Sequence, residues 1–320
     1  MLVFQIQGAS FETADARDLN DWHLKLNQAW RNLADEQFAV WHHLIRRRVE
    51  PEPSTGYRSA FAAELGAAWD ARAADRPLWV NELFVTLVLH PGREPSNRTA
   101  ALMRRLRAAR REDPEPALIQ LRRIEEVGRD LAQYLDRYAP RRLGLYEKNG
   151  LWFSEPMEVM GLVLTGRRSP APIIYGHLGA ALYTTRAIFG RETLELRDVA
   201  SARYAGVLAI KEYPATTRPG LWNPLLSARF SFVVTQSFAF LSKASARAVM
   251  ERKQNQMVSA RDRAGSQIEG LSEALDELTS NPFVMGEHQA SILIYGETPT
   301  LLADHLSKAR AILALSLIHI

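Results

Sequence analysis

The sequence predicts an α+β fold: two mixed αβ lobes, their sheets covered by helices, with one long helix in the second lobe. Three observations carry that prediction. Segments of strand period and helix period alternate from Leu2 to Pro140, the signature of helices layered on a sheet. A run from Arg229 to Leu241 alternates with period two and hands over at Ser242 to a helical pattern that continues to Ser280. With 320 residues, 47% hydrophobic and 24% charged, the chain has the composition of a globular protein and the length to bury a substantial core.

Taken in order, Leu2–Gln7 reads as a short strand. From Asp15 the pattern is helical, with Leu19, Trp22, Leu26, Trp30 and Leu33 on one stripe. Phe38–Ile45 is a strand, followed by Arg46, Arg47 and Arg48 as a solvated run and a proline-rich loop to Gly56. Tyr57, Phe61, Leu65 and Trp69 recur every fourth residue and mark a second helix, and 77–90 is a second long strand. Asn97 is placed to cap a helix rich in arginine; Asp113-Pro114 breaks it and restarts a helix, with proline at the first position. Leu118, Leu121, Ile124, Val127, Leu131, Leu135 and Tyr138 form its apolar stripe. A hairpin over Leu143–Phe153 turns at Asn149-Gly150, the pair best suited to a two-residue turn with positive φ.

The pattern then begins afresh, which sets the division into 1–145 and 146–320. Glu155–Leu164 is helical; Thr193–Arg197 and Val207–Tyr213 are strands. In the next strand Phe230, Phe232, Val234, Phe238 and Phe240 share one face, and only Gln236 interrupts the apolar set. Ser242 is the N-cap of the helix that follows, along which Met250, Met257, Ala264, Leu271 and Leu278 recur every seventh residue until Asn281-Pro282 stops it. Unbroken, it would be roughly 55–60 Å long. Gly265 and Gly270 predict a bend or break between Arg261 and Gly270. The heptad stripe has two uses, packing onto the core or a seam for a partner helix. Ala290–Gly296 is a strand, and Thr298 with Pro299 opens a last helix.

Five segments, in this order and spacing, resemble one family: GRETLELR (Gly190–Arg197), LAIKEYP (Leu208–Pro214), VTQSFAFLSK (Val234–Lys243), ALDELTSN (Ala274–Asn281) and FVMGEH (Phe283–His288). They are similar to the central region of the type IV secretion and conjugation ATPases, the VirB/TrbE/CagE family, and the residues before them resemble its amino-terminal part more loosely. The resemblance implies a hexameric ATPase that uses ATP and magnesium, sits peripherally at the cytoplasmic face of a bacterial inner membrane, and works with secretion-channel components to move DNA or effector protein. It also implies that the motor domain follows this region, that the apolar tail Ile312–Ile320 marks a truncation, and that these residues carry docking work and bind no cofactor themselves.

The residues limit the chemistry independently. Without cysteine there is no disulfide, thiol nucleophile or cysteine zinc site. None of the six lysines follows a glycine, so no G-x-x-x-x-G-K-[ST] phosphate loop exists within these residues. Gly176 and Gly179 lack dinucleotide-loop spacing. No pair of the eight histidines is arranged as H-E-x-x-H, and His42 and His43, adjacent in a strand, face opposite ways. No catalytic or metal-binding residue is assigned. No apolar run is long enough to span a bilayer.

Two sets of residues remain as interaction candidates. Arg104, Arg105, Arg107, Arg110 and Arg111 on the 97–111 helix are either a DNA- or lipid-contacting face, the basis for an alternative reading as a stand-alone nucleic-acid-binding module, or a solvated face opposite the acidic residues just downstream. Lys211, Glu212 and Tyr213 either blunt an exposed sheet edge or touch another subunit or channel component.

Overall fold

Short polar signals start most of the helices. In the computed structural model, Asp15 accepts from the Asp18 amide at 2.9 Å and caps α1 (Ala16–Leu33). Ser59 caps α2 (Ala60–Ala74) through the Ala62 amide, and Ser154 caps α4 (Glu155–Thr165) through Met157. Ser242 accepts from Ser245 at the head of α5 (Lys243–Ser259), and Thr298 from Leu301 at the head of α7 (Pro299–Ala314). Two further helices are α3 (Pro114–Tyr134), which opens on its proline, and α6 (Gly265–Ser280). The structure describes every residue except 11, 50–55, 75–77, 91–113, 178, 180–181, 183–184, 200, 211–212, 214–216, 218–219, 260–264, 281–282 and 315–320.

The strands are β1 (Leu2–Ile6), β2 (Phe38–Val49), β3 (Leu78–Leu89), β4 (Pro140–Arg142), β5 (Leu145–Lys148), β6 (Leu151–Ser154), β7 (Arg186–Phe189), β8 (Leu194–Arg197), β9 (Ala202–Ala209), β10 (Phe232–Phe240) and β11 (Gly286–Gly296). Helix and strand thus mix throughout the described chain, the α+β class that the sequence predicts. Two compact units gather them. The first holds 1–42, 84–142 and 236–289, the second 43–83, 143–235 and 290–320. Strands β2, β3, β10 and β11 each contribute residues to both.

In the first unit the strand order is β4-β1-β3-β2-β10-β11, with β4 antiparallel to β1. Its core joins Leu2 and Phe4 of β1, Phe38 and Val40 of β2, Leu87 of β3 and Phe240 of β10 to Leu33 of α1, Ile124 and Leu131 of α3, and Leu135 just past its end. The C-terminal part of the predicted α3 stripe is therefore buried, while Leu118 and Leu121 at its start are exposed. The alternation of β10 follows the pleat, which carries Phe238 and Phe240 to this core.

In the second unit the order is β3-β2-β10-β11-β9-β8-β7, and the last three pairings are antiparallel. Phe230, Phe232 and Val234 pack there with Leu208, Ile292, Ile294 and the buried face of α7, Leu302, Leu306, Ala309 and Leu313. The separate β5–β6 hairpin turns through Asn149 at φ 54° and Gly150 at φ 76°, as its sequence predicts.

Three expectations change. The long helix is two, α5 and α6, and both lie in the first unit. Ala246 and Met250 pack against Leu278, and Gln254 donates to Ser272 at 2.7 Å, so the chain doubles back into a helical hairpin. The interruption falls between Ser259 and Gly265, at the start of the interval that the glycines indicate. Met250, Leu271 and Leu278 of the apolar stripe pack together within the hairpin. Secondly, Arg46 is no solvated loop residue: β2 runs on to Val49 and buries Arg46 to 7% exposure, because hydrogen-bond acceptors surround its guanidinium. Thirdly, β9 ends at Ala209 and lies between β11 and β8, so it is not a sheet edge. Strands β4 and β7, too short to show a period, go unforeseen.

Candidate functional site

Of the interaction candidates, Arg104, Arg105, Arg107, Arg110, Arg111, Lys211 and Glu212 lie outside the described residues. Tyr213 is described; it is half-exposed beyond the end of β9, and partial burial raises the pKa of its phenol. The structure therefore gives no joint geometry for either set, and three other features, which the residue pattern did not single out as sites, stand out in the fold.

The first is a helix face. On α2, Phe61, Leu65 and Trp69 are 75%, 61% and 70% exposed. They stand four residues apart, so their side chains line one stripe. Tyr57 at the head of this stripe is held differently. Its hydroxyl lies where a Cβ on Gly66 would stand, so it lies across the helix and needs glycine there. Three large apolar side chains thus stand in solvent on one face of α2.

The second is a cavity of about 300 Å³ in the first unit. Trp30 reaches it from α1, Val40 and His42 from β2, Gln236, Phe238 and Phe240 from β10, and Phe283, Val284 and His288 close it. Alternation explains the set: Val40 and His42 share one face of β2, and Gln236, Phe238 and Phe240 one face of β10. Burial lowers the pKa of both His42 and His288 below the ordinary 6.5. The neighbouring His43 points the other way, its Nδ1 3.0 Å from Thr235 Oγ1. The hints in the sequence were Gln236 interrupting the apolar face and the parity of His42.

The third is a polar cluster in the second unit. Arg46 donates to the Ala228 carbonyl and to Asn81, and its guanidinium lies 5.3 Å from the Trp79 ring centroid. Nearby, Arg47 pairs with Glu82 at 2.6 Å, Arg168 reaches Glu82 at 3.9 Å and Glu158 at 3.5 Å, and Tyr146 donates to Glu158. That last bond raises the Tyr146 pKa. These groups satisfy one another, which reads as architecture. Among the described residues no group of three histidine or acidic side chains could hold a metal ion, and no helix is long and apolar enough to cross a membrane.

Comparison with known proteins places this architecture. Residues 141–317 match the model of the CagE, TrbE, VirB family, component of type IV transporter system. The chain belongs to that family. Residues 1–97 match the N-terminal domain of the type IV secretion system ATPase VirB4/TrbE. The type IV secretion system protein virB4 of Bartonella henselae is 43% identical over 311 residues, 97% of this chain and 40% of that protein. Protein virB4 of Agrobacterium fabrum is 38% identical over 98% of this chain and 39% of its own length. A PtlC homolog of Bordetella bronchiseptica is 33% identical over 96% and 37%. The chain thus spans about two fifths of the length of these relatives. They give no support to a stand-alone nucleic-acid-binding module.

Proposed function

We propose that this chain is the assembly and docking portion of a type IV secretion ATPase that energises transfer of conjugative DNA or effector protein. The observation that carries the reading is the pair of family matches, 1–97 and 141–317, which together take in most of the chain. Two further features support it. No glycine-lysine phosphate loop occurs in the 320 residues, and α2 presents Phe61, Leu65 and Trp69 to solvent. On this reading ATP and magnesium act in the part of the longer protein not represented here, a hexamer peripheral to the cytoplasmic face of a bacterial inner membrane. The modules 1–145 and 146–320 then join that motor to the secretion channel, with α2 as one contact.

ATP turnover by the purified chain, beside that of the full-length protein, tests this division of labour. The chain is expected to show none above background while the full-length protein turns over. Turnover by the chain alone would overturn it.

A further inference from the structure

The cavity between α1, β2 and β10 in the first unit has the lining of a ligand pocket, independently of any role in transfer. Its volume, about 300 Å³, lies at the lower end of the range for small-molecule sites. No acidic residue, lysine or arginine lines it, so nothing there recognises a charge. Trp30, Phe238 and Phe283 supply aromatic surface from three separate segments. Five polar side chains, Asn27, His42, Gln236, Ser237 and His288, stand against that apolar wall, and among the described residues neither the Gln236 amide nor the His42 imidazole makes a side-chain hydrogen bond. Gln236, partly buried on a strand face otherwise filled by phenylalanine and valine, loses part of its hydration without gaining a protein partner. A bound molecule with a hydrogen-bonding edge would restore that bond.

We propose that this cavity binds a small uncharged molecule with an aromatic ring and one hydrogen-bonding substituent, the ring against Trp30 and Phe238 and the substituent on Gln236 and His42. Aromatic rings favour offset or edge contacts with such a wall, and a phenol-sized body fits the volume. The class is set by the lining: an anion or cation finds no counter-charge, and a purely aliphatic or aromatic hydrocarbon leaves the Gln236 amide and the His42 imidazole unmet.

Titration of the purified chain with p-cresol and, separately, with toluene, followed by protein-observed NMR, tests the assignment. The two probes differ only in the hydroxyl. The proposal expects both to perturb resonances of the cavity lining, with p-cresol tighter by at least about fivefold, the ratio that one net neutral hydrogen bond supplies. Gln236→Leu, which removes the amide at similar volume, is expected to bring that ratio close to one while the chain still melts cooperatively. If Gln236→Leu does not fold, Gln236→Asn, whose amide stands one methylene further back, is expected to lower the ratio in the same way. Equal affinity for the two probes in the wild-type chain would overturn the proposal. So would perturbations outside the cavity, no binding of either probe at millimolar concentration, or a ratio unchanged in a folded Gln236 variant.

Discussion

Arg46 Nη1 donates to Asn81 Oδ1 at 2.9 Å, between the neighbouring strands β2 and β3. Asn81 in turn donates to the Leu226 carbonyl at 3.2 Å, and Arg46 Nε to that of Ala228. One guanidinium and one amide therefore tie the segment before β10 to two strands of the second unit. Arg46→Met keeps the apolar stem but leaves Asn81 and a carbonyl without their partner. It is expected to lower unfolding stability in urea by about 2–4 kcal/mol, with Arg46→Lys recovering only part because lysine lacks the planar fork.

Gly166 closes α4 at φ 71°, and a Cβ there would stand 2.7 Å from the buried Tyr295 ring. Left-handed backbone and ring clash act together. Gly166→Ala is expected to lower stability by about 2–4 kcal/mol. Pairing it with Tyr295→Leu removes the clash but not the backbone strain, so the double variant is expected to be less destabilised than the sum of the singles, by roughly 1 kcal/mol in a thermal-melt cycle.

The helical hairpin is directly measurable, since the chain has no cysteine to complicate labelling. Spin labels at Arg247→Cys and Glu277→Cys would stand about 45 Å apart along one continuous helix. Packing of Ala246 and Met250 on Leu278 folds those ends together. A pulsed electron–electron distance below about 25 Å is expected, allowing for the label arms, against the continuous-helix length.

Burial sets the pH response of the first unit. His42 and His288 are both held below their ordinary value of 6.5, desolvation being the cause in each case. As pH falls below 6.5 the unfolded chain takes up protons that the folded chain refuses. Stability is therefore full above that value and declines as the pH drops from it through the lowered folded values. His42→Asn is expected to flatten the decline in melting temperature between neutral and mildly acid pH. A slope as steep as wild type would show that His42 is not its source.

What the sequence made legible is what neighbours along the chain decide. Asp15, Ser242 and Thr298-Pro299 announce helix starts through groups three residues away, and Asn149-Gly150 announces its turn through backbone conformation alone. Arg46 was hidden because its partners, Asn81 and Ala228, come from distant segments; an arginine run looks solvated until those acceptors are in place. The heptad stripe of 250–278 read as one helix because periodicity does not tell a partner helix from the same chain doubling back. Phe61, Leu65 and Trp69 showed their spacing but not their exposure, since an apolar stripe reads alike whether a core or solvent faces it. Gln236 was visible as an interruption, and only the sheet around it shows that the interruption faces a cavity.

The proposed docking role names α2 as one contact. Phe61→Ser, Leu65→Ser and Trp69→Ser together, in the full-length protein, leave a solvent face whose loss changes fold stability little. The decisive measurement is substrate transfer by a strain carrying that triple variant, scaled to the ATP turnover of the purified protein. A drop in transfer of at least about tenfold with turnover unchanged is the expected result. Transfer at the wild-type level, or transfer and turnover falling together, would contradict it.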